Sequence, residues 1–253
     1  MKIDFSKYSS VRIGGIFDVE VLDEMREFDG VIIGGANNLL ISPNPPKMGI
    51  LGSEFDYIKL ENGVLKIGAK TPSSKIYKFT KDNNIGGFEF VKKIPGTLGG
   101  MIKMNAGVKE YEISNLLLNI TTSKGVILAN ECGFSYRHSN IDGVIFEASF
   151  KIIREFDEAL SNKLNQKRSN QPKGASFGSC FANPAGDHAG RLLEAAGMKG
   201  YRIGGCGFSE IHANFLINYG NGSFNDAIEL INLAKNRVAE LFGIELRCEV
   251  VIL

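Results

Sequence analysis

Three glycine-rich segments in the first 107 residues constrain this chain more than any other feature. They are Arg12-Ile13-Gly14-Gly15, then Ile33-Gly34-Gly35-Ala36-Asn37-Asn38-Leu39-Leu40, then Ile94-Pro95-Gly96-Thr97-Leu98-Gly99-Gly100 followed by Met104-Asn105-Ala106-Gly107. Glycine lets backbone N–H groups approach an anion with no Cβ in the way. Successive N–H groups then form a nest for phosphate oxygens, and Asn and Thr side chains add donors. One Gly-Gly pair alone is more often a tight turn between strands. None of the three is a Walker loop or a G-x-G-x-x-G fingerprint opening a helix. Together they suggest one extended diphosphate ligand with more than one loop around it.

Any such anion site must be local. The chain has 253 residues and a formal net charge of +1, so no bulk field draws it to nucleic acid or to a membrane. Hydrophobic residues make up 43% and charged residues 23%, as in an ordinary globular protein able to bury a substantial core. No apolar stretch approaches the roughly 20 residues of a membrane span, and MKIDFSKYSSVRIGG lacks the apolar region of a signal peptide. The expected location is the cytoplasm, as a monomer or weak oligomer. In a reducing compartment Cys132, Cys180, Cys206 and Cys248 are expected as free, mostly buried thiols. No metal site is expected, because His138, His188 and His212 lack partners at ligand spacing.

The local patterns predict a mixed α and β chain. Val31-Ile32-Ile33 reads as a buried strand entering a turn, and Glu61-Asn62-Gly63 as a hairpin turn between Ile58-Lys59-Leu60 and residues 64–68. Residues 73–83 read as helix. Short strands follow at 116–120, 125–128 and 145–150, and residues 154–167 have a helical look. A helix is expected at about 189–196, stopped by Gly197. Another starts at Ser223, with Asp226 as capping-box partner and Gly243 at its end; Ala227, Leu230, Ile231, Ala234, Val238 and Leu241 form its apolar face. A last strand, 246–253, is expected to join a sheet begun earlier.

The blocks RIGG, GGANNLLIS, FEFVKKIPGTLGGMIKMNAG, FSYRHS, GSCFANP, LLEAAGMKGYRIGG, SEIHANFLIN and LRCEV run in order through nearly the whole chain. In these the sequence resembles the UDP-N-acetylenolpyruvoylglucosamine reductase (MurB) family. The resemblance implies an α+β protein: an FAD-binding region of vanillyl-alcohol-oxidase (PCMH) type plus a smaller α+β substrate-binding domain. The expected division is residues 1–160 for the FAD-binding region, joined by the strand 244–253, and 161–243 for the substrate-binding domain. NADPH would reduce the FAD, and the reduced flavin would reduce the enolpyruvyl group of a UDP-sugar in peptidoglycan precursor synthesis. Gly34, Gly35, Ala36, Asn37, Asn38, Ile94, Pro95, Gly96, Thr97, Gly99 and Gly100 would hold the FAD diphosphate, with Asn105, Ala106 and Gly107 near the flavin.

Reducing an enol ether beside a carboxylate needs a hydride at C3, stabilisation of the enolate-like charge and a proton at C2. By resemblance Ser179 is the proton donor, Arg137 the guanidinium for the carboxylate and Glu249 the acid beside the enolate oxygen. Taken alone, these residue types read as a turn serine, a surface arginine and a solvent-facing strand glutamate. Cys180 is a rival acid, read here as core. Asn183, Tyr201 and His212 would bind substrate; a turn residue before proline, a packing tyrosine and a structural histidine are the plainer readings. Arg168 and Lys173 are nearby cations.

The chain departs from the family pattern in places. Asn170 stands where a lysine usually precedes Gln-Pro, Ala182 replaces a common lysine, Val251 replaces an arginine of some members, and Lys109-Glu110 replaces Tyr-Gly. The short run from Arg137 to Ser179 points to the shorter subclass, which lacks a tyrosine-bearing lid loop. Two other readings fit the glycine loops: another FAD-dependent oxidoreductase on this scaffold, and a non-catalytic nucleotide-sugar-binding module. The second gives Arg137, Ser179 and Glu249 no joint task.

Overall fold

The structure is a computed structural model that describes residues 1–167 and 171–253. Arg168 and Asn170 lie outside the described residues. The chain forms two compact units, one built from Val19–Gly35 and Lys47–Ser169, the other from Lys2–Asp18, Ala36–Pro46 and Asn170–Leu253. The α+β class is observed in each.

The first unit holds an antiparallel sheet with spatial order Gly125–Leu128, Leu117–Thr122, Ile145–Lys151, Val64–Gly68, Ile58–Glu61. The expected hairpin is its edge: Asn62 and Gly63 take φ of 51° and 76°, the left-handed pair that a two-residue hairpin turn requires. Leu65, Ile67, Ile120, Phe146, Ala148 and Phe150 are fully or almost fully buried. Phe55 meets Phe146 with ring centroids 4.9 Å apart, and Phe88 meets Phe150 edge-on at 5.3 Å. The Ser73–Asp82 and Leu98–Lys103 helices and the Glu158–Lys167 helix belong to this unit. Met48–Leu51 pairs in parallel with Val19–Leu22 on one side and with Val31–Ile32 on the other.

A buried carboxylate ties this unit together. Glu89 is 1% exposed. It accepts two bonds from the Arg154 guanidinium, at 2.7 and 2.9 Å, and one each from the N–H groups of Gly87 (2.8 Å) and Asp157 (2.9 Å). Every strong acceptor direction of the carboxylate is used, which is what makes its burial tolerable.

The second unit holds an antiparallel sheet ordered Ala175–Ser179, Phe215–Asn218, Cys206–Phe208, Arg202–Ile203. The Ala189–Ala195 and Phe224–Phe242 helices cover it. The long helix starts as read: Ser223 Oγ accepts from Asp226 N–H at 3.1 Å and Asp226 accepts from Ser223 N–H at 2.9 Å. Gly243 closes it at φ 66°. Ala227, Leu230, Ile231, Ala234 and Val238 are buried, but Leu241 is 61% exposed. The apolar face therefore ends at Val238; in the last turn Glu240, Leu241 and Phe242 all face solvent.

The expected strand 246–253 is two pairings rather than one. Cys248 bridges Phe181 antiparallel, while Val251–Ile252 runs parallel to Leu39–Leu40. The N–H groups of Glu249 (2.8 Å) and Val250 (3.3 Å) both donate to the Cys180 carbonyl, and this doubled contact marks the bend from one partner to the next. The final strand joins an early one, Leu39–Leu40, and both lie in the second unit. The Glu158–Lys167 helix lies in the first unit.

Removing Arg154 strands the buried Glu89 charge. Arg154→Ala is expected to cost about 3 kcal/mol, read as a lower urea midpoint with unchanged slope; a midpoint shift worth under 1 kcal/mol would show that the pair carries little of the stability.

Candidate functional site

In the first unit, the second and third glycine segments meet. A Cβ built on Gly34 would lie 2.6 Å from Thr97 Oγ1, so only glycine fits there without displacing the threonine. Thr97 begins the Leu98–Lys103 helix with no capping bond from its own side chain. The segment is anchored by backbone bonds: Ser73 N–H to Gly96 O (3.0 Å), Leu98 N–H to Thr71 O (3.0 Å) and Gly99 N–H to Ala69 O (2.8 Å). Gly96 takes φ 110°. Ile94, Pro95 and Gly96 also line a cleft of about 360 Å³ with Ser73, Lys92 and Lys93.

Asn105 is 1% exposed and sits at φ 40°. Its amide donates to Glu112 Oε2 (2.8 Å) and to Ser135 O (3.2 Å), so this side chain organises the protein. Arg137 lies in the same network. It occupies a turn closed by paired Ser135 and His138 bonds of 3.1 Å, at φ 54°, unusual for a residue with a side chain. Its guanidinium donates to Gly107 O (2.9 Å) and Asn105 O (3.4 Å), stacks on Tyr136 at 4.8 Å and stands 3.9 Å from Glu112. Ala106 N–H donates to Met101 O at 2.8 Å, and a Cβ on Gly107 would strike Tyr111 O. These bonds fix the place of the Arg137 charge against the Asn105–Gly107 backbone.

In the second unit, Ser179 ends a bulged strand. The register slips between Ser176 and Ser179, where Gly178 takes φ 87° and donates to Ser176 Oγ at 3.1 Å. The bulge re-aims the serine. Ser179 is half-buried, and among the described residues its hydroxyl has no hydrogen-bond partner. The next residue, Cys180, is fully buried, which pushes its thiol well above the usual range. A buried, less acidic thiol is a poor rival acid, so Cys180 is core, as read. All four cysteines are free thiols, and only Cys248 is not fully buried.

Glu249 lies beside this strand, its N–H bonded to the Cys180 carbonyl. Asn38 of the glycine loop donates its side-chain amide to Glu249 O at 2.8 Å. Ser179, Glu249 and Ala36–Asn38 are thus one cluster in the second unit. The loop's carbonyls are engaged: Ala36 O accepts from Ser10 N–H, Asn37 O from Ser10 Oγ and Asn38 O from Val251 N–H. Among the described residues, no partner is found for the N–H groups of Ala36, Asn37 or Asn38, and Ala36 takes φ 47°. Such a turn, with its amides turned away from the protein's own acceptors, suits an anion.

The other expected substrate residues have local roles. Asn183 Oδ1 accepts from Ala189 N–H at 3.0 Å, at the start of the Ala189–Ala195 helix. Tyr201 is 37% exposed, with the Arg237 guanidinium 4.7 Å from its ring centre. His212 packs edge-on against Phe215 and its Nδ1 accepts from Asn214 N–H at 3.2 Å, so its proton sits on Nε2; burial lowers its pKa. Lys173 is exposed beside Arg202 and Tyr219 at a cleft of about 200 Å³.

A family model described as UDP-N-acetylenolpyruvoylglucosamine reductase, C-terminal domain, matches residues 170–253. The reductase of that name from Campylobacter jejuni strain RM1221 is 54% identical, covering 100% of both chains. That of Helicobacter hepaticus is 46% identical over 99% of this chain and 98% of the relative. The chain belongs to the UDP-N-acetylenolpyruvoylglucosamine reductase family. The crystal structure of the reductase (MurB) from Thermus caldophilus superposes with a TM-score of 0.86 at 26% identity, covering 100% of this chain and 98% of that one. The fold is therefore that of the reductase family, an FAD-binding PCMH-type region with a substrate-binding domain.

Two residues of this reductase fold escaped the sequence reading. Asn214, 3% exposed, clamps Phe181: its Oδ1 accepts from Phe181 N–H (2.9 Å) and its Nδ2 donates to Phe181 O (2.8 Å), while its own carbonyl accepts from Cys180 N–H. It therefore positions the backbone just after Ser179. Ser10 holds two carbonyls of the glycine loop. Asn214 stands within a quoted family block, a signal that could have flagged it; Ser10 carries no such signal.

The Gly34 contact is testable. Gly34→Ala is expected to destabilise the protein by about 1–3 kcal/mol, and adding Thr97→Ala to recover most of that, as measured by urea denaturation. A Gly34→Ala chain as stable as the parent would dissolve the close approach.

Proposed function

We propose that this chain reduces the enolpyruvyl double bond of UDP-N-acetylenolpyruvoylglucosamine, giving UDP-N-acetylmuramate, with FAD as cofactor and NADPH as hydride donor. The observation that carries the assignment of the chemistry is the bond from Glu249 N–H to the carbonyl of Cys180. It sets the two expected proton-handling groups, Ser179 and Glu249, on neighbouring backbone.

The residues present fit a flavin dinucleotide. Gly34 leaves a space against Thr97 that a Cβ would fill, and Ala36, Asn37 and Asn38 hold N–H groups with no partner among the described residues. Gly34 to Asn38 and Ile94 to Gly100 would hold the diphosphate, and Asn105 to Gly107 would lie near the flavin ring. When bound, FAD would supply the redox chemistry, hydride transfer between NADPH and C3 of the enolpyruvyl group.

The chain's own residues then manage charge and protons. Negative charge moves onto the substrate carboxylate as C3 is reduced. Arg137, charged at any working pH, is suited to hold that carboxylate, and its anchoring to the Asn105–Gly107 carbonyls keeps reorganisation small. Glu249 in its protonated form donates to the enolate oxygen. Ser179, with no competing partner among the described residues, gives its hydroxyl proton to C2 and regains one from water. A serine is a weak acid, but transfer to a carbanion-like centre is downhill. Asn183, Tyr201 and His212 are assigned to the nucleotide sugar.

Anaerobic absorption spectroscopy tests this directly. The flavin band of the parent should bleach with NADPH and return with UDP-N-acetylenolpyruvoylglucosamine. Ser179→Ala should bleach normally but recover roughly 10²–10⁴-fold more slowly. Recovery at the parent rate would remove Ser179 from the proton step. Arg137→Ala should raise the barrier of the same half-reaction by about 3 kcal/mol; a rate within a few-fold of the parent contradicts its role. A band that bleaches and returns only with oxygen would indicate an oxidase instead.

A further inference from the structure

The first glycine segment, Arg12 to Gly15, has no part in the reaction described above. Its surroundings are specific. Arg12 takes φ 55°, a left-handed position that costs a side-chain-bearing residue energy. It is held there by its own N–H bonded to Ser9 O (3.1 Å) and by Asn218 Nδ2, which donates to both Val11 O (3.1 Å) and Arg12 O (3.2 Å). Gly14 follows at φ 139°, where a Cβ would meet Phe5 Cβ at 2.7 Å. The turn is thus pinned from several sides while its arginine side chain points outward.

Two residues earlier, Ser10 is a junction. Its N–H donates to Ala36 O (3.2 Å), its hydroxyl to Asn37 O (3.2 Å), and its carbonyl accepts from Ser176 N–H (3.0 Å) on the Ser179 strand. The Arg12 turn is therefore fastened to the Ala36–Asn38 loop. Arg12 itself is exposed, and among the described residues its guanidinium meets no carboxylate, carbonyl or aromatic ring. A strained, exposed cation is thereby connected through Ser10 to a loop whose amides have no partner among the described residues.

We propose that Arg12 is the cation that binds a nucleotide diphosphate together with the N–H groups of Ala36, Asn37 and Asn38. A guanidinium gives two parallel donors to phosphate oxygens and keeps its charge. The amides alone supply only partial charges against a group that carries about two negative charges. This rests on the reading of the protein as a nucleotide-binding reductase. The diphosphate is common to FAD and to a UDP-sugar, and the loop argues first for FAD.

The test uses the full chain with Arg12→Gly and Arg12→Lys. Glycine accepts φ 55° without strain, so Arg12→Gly removes the charge while sparing the fold. FAD and riboflavin binding are followed by flavin fluorescence and UDP binding by calorimetry, all at low salt. The expected result is that Arg12→Gly binds FAD roughly 10- to 100-fold more weakly, with riboflavin binding and the melting temperature unchanged. Arg12→Lys should lie in between. A loss for UDP but not FAD would keep the cation role and assign it to the sugar nucleotide. Parent-like affinity for both, or an equal loss for riboflavin, overturns the proposal. A parent protein that binds neither FAD nor UDP would overturn the reductase reading itself, and this inference with it.

Discussion

The divided pairing of residues 248–252 underlies the arrangement of the second unit. Residues 248–250 bond to the Phe181 and Cys180 backbone, and 251–252 pair with Leu39–Leu40. One short segment thereby places Glu249, the residue after Ser179 and the residue after Asn38 in a single hydrogen-bonded patch. These groups lie far apart in sequence; Asn38 and Glu249 are 211 residues apart. Backbone N–H and C=O groups cannot be buried unpaired at small cost. The patch is therefore fixed by obligatory bonds, and side-chain packing only reinforces it.

The first unit solves a different problem. Arg137, the charge proposed to hold the substrate carboxylate, has to stay in one place. Carbonyls of Asn105 and Gly107 do this, with Glu112 at 3.9 Å rather than in hydrogen-bonding distance. Asn105 holds Glu112 by a 2.8 Å bond. The asparagine thus holds the glutamate near the guanidinium. Glu89, by contrast, is fully paired with Arg154, and its network is structural.

Features set by a few neighbouring residues were legible. The Asn62-Gly63 turn, the Ser223–Asp226 cap, the Gly243 stop and the buried stripe of the long helix all follow from local hydrogen-bond geometry and helical period. Leu241 followed the same period and proved exposed, because period tells which way a side chain faces and not whether another layer lies there. The ordered motif blocks identified the reductase family, and the comparisons bear that out. Residue types at the expected sites were readable only through that resemblance, since a serine, an arginine and a glutamate alone are ordinary residues.

The sequence by itself determined the helices beginning at Ser73 and Ser223, the Asn62-Gly63 hairpin and the family to which the chain belongs. Only the tertiary structure decided which carbonyl each stray amide meets. It alone put Ser10 under the Ala36–Asn37 loop, clamped Phe181 with Asn214 and bent the C-terminus between two strands. The physical reason is that helix and turn signals are short-range, whereas any exposed strand edge offers the same N–H and C=O groups. The choice among such edges is made by burial of the whole chain and leaves no mark on the segment itself.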